Sequence, residues 1–345
     1  MKKMIKLSLV AAVAVAGLTT TSSAANLADA VKNTELNGYA RYRLHTDHEN
    51  SGSAVEETKA VLKFTTKVNN AVKANIKMVA VADTGKGQTA AAMNVTEANF
   101  VVSLGKSTLI AGLQTTQSPF FANNGDTRSH GLTALIPAGG MTVAAAHYTT
   151  TTVPVLTNEV SALGLIGKAG NVGFQAWHAI VSNSGSVALN DAAATNLSLS
   201  AKLGAVNVDA MYSTLTLDGT TDTGITKVVA SGKAGNVSYV AGYAMSEKDG
   251  GRVAVDNDDD AVSDLAMYTL AMSATADASA ILVGASMPVS KTTTVGVNHL
   301  AGSDDMSTGT AKDFSETDVK VSYKMSKNFG AAFTYAMADA MGTDM

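Results

Sequence analysis

The sequence has 345 residues, of which 46% are hydrophobic, 16% are charged and 5% are aromatic, and it contains no cysteine. A chain without cysteine forms no disulfide and offers no thiolate to a metal. Without the three lysines of its first six residues it has 22 basic and 29 acidic residues, about −7 in net charge, which excludes a basic nucleic-acid-binding surface. The apolar content is too high for a disordered chain, yet no apolar run beyond the first two dozen residues is long enough for a transmembrane helix.

The first 25 residues have the pattern of a secretory signal peptide. A basic start at Lys2, Lys3 and Lys6 precedes an apolar stretch from Leu7 to Leu18, and small residues follow up to position 25. The apolar stretch is shorter than a bilayer span. We therefore predict that residues 1–25 are cleaved and that the protein is exported.

Alternation of apolar and polar side chains organises the rest of the chain. In the window 59–68, Leu62 and Phe64 alternate with Lys63 and Lys67. Similar windows lie at 72–80, 196–203, 206–213, 237–245 and 318–325. A period of two residues is typical of β-strands whose two faces meet different surroundings, and a helical period fits none of these windows. The chain is predicted to be all-β.

Short turns alternate with longer hydrophilic connections. The hexapeptide Gly-Lys-Ala-Gly-Asn-Val occurs at 167–172 and again at 232–237, each time between two alternating runs. Gly and Asn there can supply the positive φ of a tight hairpin turn. Longer connections are expected at 45–57, 149–158 and 246–262, among others. Short turns at one end of the strands and longer loops at the other are typical of outer-membrane barrels.

The predicted fold class is therefore a transmembrane antiparallel up-and-down β-barrel of 16–18 strands, with 18 favoured, short periplasmic turns and longer external loops. Residues 26–345 would form this single domain, and the stretch 264–300 divides into strands in more than one way. The competing interpretation is a soluble sandwich or solenoid, which would use bulkier side chains than the Ala, Val and Gly found here.

Basic side chains on the polar face of the first strands predict a charged wall inside the barrel. A Lys or Arg at the bilayer midplane costs about 2–4 kcal/mol, so such residues should face the lumen. The candidates for this pore-lining basic wall are Arg41, Arg43, Lys63, Lys73 and Lys77. For Lys59 and Lys67, near strand ends, a plain solvated strand face explains the charge equally well.

The connection Thr115–His130 is the second candidate element of the pore. It carries Phe120, Phe121, Asp126 and Arg128. Folded into the lumen, the aromatic pair would anchor it to the wall and Asp126 would oppose the basic residues, discriminating ions by a ring of charge. The alternative is an external loop whose Phe pair packs on a neighbouring loop or subunit.

The residues Met1–Ala12, Leu27–Lys32 and Leu36–Arg43 resemble the start of the major outer membrane porins of Campylobacter-type bacteria, a match confined to about the first 45 residues. The resemblance implies an 18-stranded trimeric barrel whose third external loop folds inward. Small hydrophilic solutes, and preferentially cations, would pass through it. By the same resemblance Arg41 and Arg43 would be wall residues and the 115–130 connection would constrict the pore.

Two further expectations concern aromatic residues. The single tryptophan, Trp177, is predicted to anchor the barrel at the membrane interface. The last strand is expected near 329–338, with Phe333 and Tyr335, although barrels of this type usually finish on an aromatic residue and this chain continues to Met345. Either the assembly signal is internal or the last strand lies elsewhere.

An acidic run offers oxygen ligands at the spacing that begins a Ca²⁺ loop, through Asp256, Asp258 and Asp260. An EF-hand is excluded because Ala261 stands where Gly is needed and Met267 stands where Glu should close the site. Two interpretations stay open, a weak surface site for loosely bound Ca²⁺ or another divalent cation, and a plain solvated loop. No other cofactor is predicted.

The sequence as a whole predicts a porin of the Gram-negative outer membrane. It would be a homotrimer in contact with the lipid bilayer and lipopolysaccharide, passing ions and small hydrophilic solutes by passive diffusion, with no nucleic-acid partner. An enzyme is not expected, because no Gly-x-Ser-x-Gly nucleophile elbow is present. The alternative is an adhesin or structural surface barrel whose loops carry the function, and a barrel enzyme is weaker still.

Overall fold

The computed structural model of the protein describes residues 32–46, 54–84, 88–115, 119, 128–153, 156–183, 192–217, 222–251, 276–304 and 312–339. Seventeen β-strands lie in these residues. That number falls within the predicted 16–18 and is one below the favoured 18. The segments 278–288 and 293–304, in and beyond the stretch that the sequence left undivided, are two strands. No helix of the described residues is long and apolar enough to cross a membrane.

The chain divides into two compact units, and the first comprises residues 1–115 and 128–134. Its complete strands are β1 (Thr34–Thr46), β2 (Ala54–Lys67), β3 (Val72–Asp83), β4 (Gln88–Leu104) and β5 (Ser107–Thr115). Each pairs antiparallel with the next in the chain. The unit is a meander in which consecutive strands are neighbours.

The second unit comprises residues 116–127 and 135–345. Strand β6 (Arg128–Ala138) has its last residues there, and the strands that follow are β7 (Met141–Val153), β8 (Leu156–Ala169), β9 (Val172–Asn183), β10 (Ala192–Leu203), β11 (Val206–Leu217), β12 (Thr223–Ala234), β13 (Val237–Ser246), β14 (Ala278–Pro288), β15 (Thr293–Asp304), β16 (Lys312–Lys324) and β17 (Gly330–Asp339). From β7 onward each strand pairs antiparallel with the next.

The repeated hexapeptide forms two hairpin turns, as predicted. Gly170 and Gly235 have φ of 59° and 61° between strands that pair up to the turn on both sides. A left-handed Gly at the first central position is the type II′ arrangement, which matches the twist of the flanking strands. A Cβ at either glycine would meet no atom within 4 Å, so the backbone conformation and not space requires glycine there.

One long connection expected from the sequence is absent. Strand β7 runs to Val153 and β8 begins at Leu156, where a loop over 149–158 was predicted. The pairing continues through Thr150 and Asn158, with a register shift just beyond Thr151. Threonine favours strands although it is polar, and a run of threonines shows no apolar alternation, which explains the wrong prediction.

The strands carry two different faces. Within each unit the exposed large apolar side chains of the strands lie on one face, among them Leu36 in the first unit and Leu163, Ile281 and Phe333 in the second, and Tyr39 of β1 is an exception. We call this the exposed face and the opposite one the shielded face. Ten strand residues rise about 33 Å, which at a tilt near 40° spans about 25 Å, the height of the apolar band of a membrane barrel.

The shielded face of the second unit carries two apolar clusters. The first joins β7–β11 through Tyr148, Val160, Trp177, Leu215 and small alanines, and the second joins β12–β16 around Ile225, Leu300 and Phe314. The prediction that Trp177 anchors at the membrane interface is therefore wrong, because its side chain is 4% exposed and lies on the face away from the exposed apolar residues.

Trp177 is buried because its partner across the strand pair is a glycine. Gly164 of β8 lies opposite Trp177 of β9, and a Cβ at Gly164 would lie 2.5 Å from Cδ2 of the indole ring. The indole Nε1 donates a hydrogen bond to Oε1 of Gln175 at 3.1 Å. The ring thus covers the glycine backbone and keeps a partner for its one polar atom.

Substituting Gly164 tests this packing. We expect Gly164→Val to displace the indole ring, to red-shift its fluorescence and to destabilise the protein by about 1–3 kcal/mol through overpacking. The chain has one tryptophan, so its emission reports this site alone. Leu163→Val, at the adjacent position on the exposed face, is the control and should leave the emission unchanged. Emission of Gly164→Val identical to wild type would contradict the packing.

Candidate functional site

The five basic wall candidates lie on the shielded face of the first unit: Arg41, Arg43, Lys63, Lys73 and Lys77. The strand register shows this directly. Arg41 lies opposite Lys59, and Lys63 lies opposite Lys77. Residues opposite each other in an antiparallel pair project from the same face, so the cations of neighbouring strands form one continuous charged surface.

Acidic side chains that the sequence reasoning missed lie on the same surface. The guanidinium of Arg41 donates through Nη2 to Oε1 of Glu57, and both side chains are partly buried. The alternation in β2 could have revealed this acid, because Glu57 has the same parity as Lys59 and Lys63. The wall is therefore an arrangement of paired charges.

Glu97 is the centre of the most buried charged group on this wall. Its side chain is 11% exposed, and its Oε2 lies 3.4 Å from Nζ of Lys63 while its Oε1 lies 3.6 Å from Nζ of Lys77. The hydroxyl of Thr115 donates to Oε1 at 3.0 Å. One carboxylate thus holds two lysines from neighbouring strands and the last residue of β5. We call Lys63, Glu97, Lys77 and Thr115 the Glu97 cluster.

A β-bulge lies next to Glu97 in β4. The register passes from Lys77 opposite Glu97 to Met78 opposite Val95, which leaves Thr96 as an extra residue. The hydroxyl of Thr96 donates to the carbonyl of Lys77 at 3.4 Å, and the residue is buried. The bulge reverses the parity of the residues before Thr96, whereas Glu97 continues the regular alternation of 97–104 on the face of Asn99, so alternation could have revealed this acid too.

A chain of side-chain hydrogen bonds crosses the same wall. The Thr65 hydroxyl donates to Oδ1 of Asn75 at 2.9 Å, Nδ2 of Asn75 donates to Oδ1 of Asn99 at 3.1 Å, and Nδ2 of Asn99 donates to the carbonyl of Leu113 at 3.1 Å. We call Thr65, Asn75 and Asn99 the amide ladder. Its members satisfy one another, which fixes their orientation on the wall.

A second set of polar contacts joins β5 to β6. Gln114 is buried, its Nε2 donates to the carbonyl of Gly131 at 3.0 Å, and its Oε1 accepts from the Thr133 hydroxyl at 3.1 Å. Together with Thr115 in the Glu97 cluster, the last two residues of β5 are held by side-chain bonds on both sides. These contacts fix the strand end from which the connection 116–127 departs.

The remaining sequence candidates fall elsewhere. Phe120, Phe121 and Asp126 lie outside the described residues, as does the acidic run 256–260 that was a candidate divalent-cation site. Arg128 is the first residue of β6, so the predicted loop 115–130 ends in a strand. In the described part of the chain no group of three or more side chains is arranged to hold a metal ion.

The electrostatics of the wall follow from these pairings. Lys63 and Lys77 share Glu97, and Arg41 is paired with Glu57, whereas Arg43 and Lys73 form no ion pair with another described residue. These pairings therefore set how much unpaired positive charge this face of the first unit presents.

Comparison with known proteins identifies the kind of molecule that carries this wall. The sequence model of the family described as Campylobacter major outer membrane protein matches residues 1–208, which is more than half of the chain. Among curated proteins, none matches the sequence.

Solved structures with a similar fold come from Pseudomonas aeruginosa. OccK2 (OpdF), crystallised in complex with glucuronate, has a TM-score of 0.71 at 11% identity, with 91% of this chain and 94% of that chain covered. OccK8 (OprE) has a TM-score of 0.68 at 12% identity, covering 88% and 92%. OpdQ has a TM-score of 0.64 at 15% identity, covering 89% and 92%. The fold class is the one predicted, the antiparallel up-and-down β-barrel of outer-membrane porins.

Neutralising Glu97 tests the role of the cluster. Glu97→Gln leaves Lys63 and Lys77 without their shared counter-ion, so we expect the permeability ratio of Cl⁻ to K⁺ to rise about twofold. Reversal potentials under a KCl gradient measure that ratio.

The matched control is Glu56→Gln, which removes the same charge from the exposed face of β2 beside Glu57. It should leave the ratio at its wild-type value. Equal shifts in the two variants would show that total charge, and not the Glu97 cluster, sets the ratio.

Proposed function

The chain belongs to the Campylobacter major outer membrane protein family, and from this membership we propose that it works as a homotrimeric porin for passive diffusion, with a pore constricted by the connection 115–130. It is a protein of the bacterial outer membrane and forms a channel for small solutes. Ions and small hydrophilic molecules cross it down their gradients, and the proposal requires neither a cofactor nor a catalytic step.

The single observation that carries the proposal is the division of each strand into an apolar exposed face and a shielded face with charges. The Glu97 cluster and the amide ladder lie on the shielded face, and Leu62 and Met93 lie on the exposed face of β2 and β4, two of the same strands. In a bilayer the apolar face contacts lipid, and the charged face needs water. A water-filled lumen meets both needs, because a lysine in hydrocarbon costs about 2–4 kcal/mol.

The alternative function, an adhesin or structural barrel, does not require this wall. A barrel whose loops alone carry function needs no charges on its shielded face. The pairing of Lys63 and Lys77 with a single carboxylate, and the mutual satisfaction of the amide ladder, order polar groups along the path that a solute would take. This order supports transport.

Planar-bilayer recording tests the proposed function. We expect the purified protein to insert and give stepwise, ohmic conductance increments, each from one trimer. A protein that stays folded and water-soluble, as a monomer that never conducts, would overturn the proposal. A conducting protein that runs as a monomer in native mass spectrometry would overturn the trimer alone.

The constriction has its own test. If the connection 115–130 lies in the lumen, Asp126→Asn removes a negative charge from the narrowest section, and the preference for cations should fall by about twofold. Asp222→Asn, in another connection at the same strand ends, is the charge-matched control and should change nothing. An unaltered reversal potential in Asp126→Asn would show that this connection lies outside the pore.

A further inference from the structure

Lysines accumulate at the short turns. Eight short turns join the strands: β2–β3, β4–β5, β6–β7, β8–β9, β10–β11, β12–β13, β14–β15 and β16–β17. In these turns and the four residues on either side of each lie Lys67, Lys73, Lys106, Lys168, Lys202, Lys233, Lys291, Lys324 and Lys327. Every short turn except β6–β7 has at least one. The repeated hexapeptide supplies two of them, Lys168 and Lys233, at identical places.

Acids are almost absent from the same positions. Asp209 of β11 is the single acidic residue of the sequence within four residues of a short turn, against nine lysines. The nine lysines are exposed, and none forms an ion pair with another described residue. Their charge is therefore not neutralised locally.

Three of these lysines form a regular row in the second unit. Lys168, Lys202 and Lys233 are the penultimate residues of β8, β10 and β12. Alternate strands lie about 10 Å apart, so neighbouring members of the row are separated by about the Debye length of a 0.1–0.15 M salt solution. Their potentials overlap at that spacing. We call these three residues the lysine row.

The face from which the row projects distinguishes two functions for these charges, binding of lipid phosphates and attraction of solutes in the lumen. Lysines that bind lipid phosphates would project from the exposed face, with the apolar side chains. Lys168 has the parity of Val160 and Ala162, and Lys202 has that of Ala194 and Asn196, all of which are buried on the shielded face. The row therefore borders the lumen, and its positive potential acts on solutes there.

The connections at the other strand ends have the opposite charge. By sequence they contain fifteen acids and three basic residues, Lys86, Lys248 and Arg252. The acids are Asp47, Glu49, Asp126, Asp191, Asp218, Asp222, Glu247, Asp249, Asp256, Asp258, Asp259, Asp260, Asp264, Asp277 and Asp305. The two ends of the strands thus differ in charge as well as in loop length.

We propose, on the basis of the function given above, that the lysine row is an anion-binding rim at the periplasmic mouth of the channel, which concentrates small polyvalent anions there. The expected ligand is a compact anion with two or more charges. Lysines about 10 Å apart do not enclose a single monovalent ion, but their overlapping positive potentials attract a polyvalent anion more strongly. Affinity is electrostatic and falls as salt rises.

Sided block of single channels tests the rim, with inorganic pyrophosphate as the probe. Because the chain has no cysteine, Asn70→Cys in the exposed β2–β3 turn reports the periplasmic side through a membrane-impermeant thiol reagent. In this otherwise wild-type background we expect pyrophosphate to reduce the current at about tenfold lower concentration from the short-turn side than from the other side. Raising the salt concentration should weaken the sidedness.

The variant Lys168→Gln/Lys202→Gln/Lys233→Gln should abolish this sidedness, and since the three side chains are exposed the barrel should assemble. The charge-matched control is Lys86→Gln/Lys248→Gln/Arg252→Gln, which removes three positive charges from the opposite connections and should retain the sided block. Equal block from both sides in the wild type would overturn the rim, as would a row variant that keeps the sided block of the wild type. A control variant that loses its sided block as fully as the row variant would overturn it too. Wild-type protein that never conducts would instead refute the proposed function.

Discussion

The two-residue period of the strands is the constraint on which the rest of this structure depends. In hydrocarbon every backbone N–H and C=O needs a partner within the protein, and a strand meets that need by pairing on both edges. Its side chains then alternate between two faces, one of which meets lipid. Because Leu62 and Lys63 are adjacent in β2, a slip of one residue would place a lysine in the bilayer. The charge on Lys63 therefore fixes the register as firmly as the apolar residues do.

Much of the fold could be predicted from the sequence because local rules set it. The glycines of the repeated hexapeptide fix two turns through their positive φ, and the last strand, with Phe333 and Tyr335 on its exposed face, lies where the alternation placed it. The failures have non-local causes. Trp177 is buried because Gly164 on the neighbouring strand leaves room for its indole ring. The sequence of β9 alone does not show that this room exists.

The candidate site divides in the same way. Alternation was enough to put Arg41 and Lys63 on one face, since both belong to regular strands. Glu97 has the parity of Asn99 in the regular stretch 97–104, so alternation could have placed it on this face as well. Its ion pairs could not be predicted in the same way, because they depend on which residues of β2 and β3 lie beside it. They matter chemically, since the wall that the sequence predicts to be basic contains a buried carboxylate that binds two of its lysines.

Net charge is a poor guide to a molecule built this way, because charges separated along the strands act independently. The negative balance of the sequence comes largely from connections such as 247–277, while the short turns carry nine lysines and one nearby acid, Asp209. Strands of ten or more residues keep these two populations about 25 Å apart along the pore axis, two to three Debye lengths at physiological salt. An ion entering at either mouth therefore meets a local potential that the other mouth barely alters. Under the rim proposed above, a protein that is acidic overall presents a basic entrance, and the paired charges of the Glu97 cluster lie on the strands between the two ends.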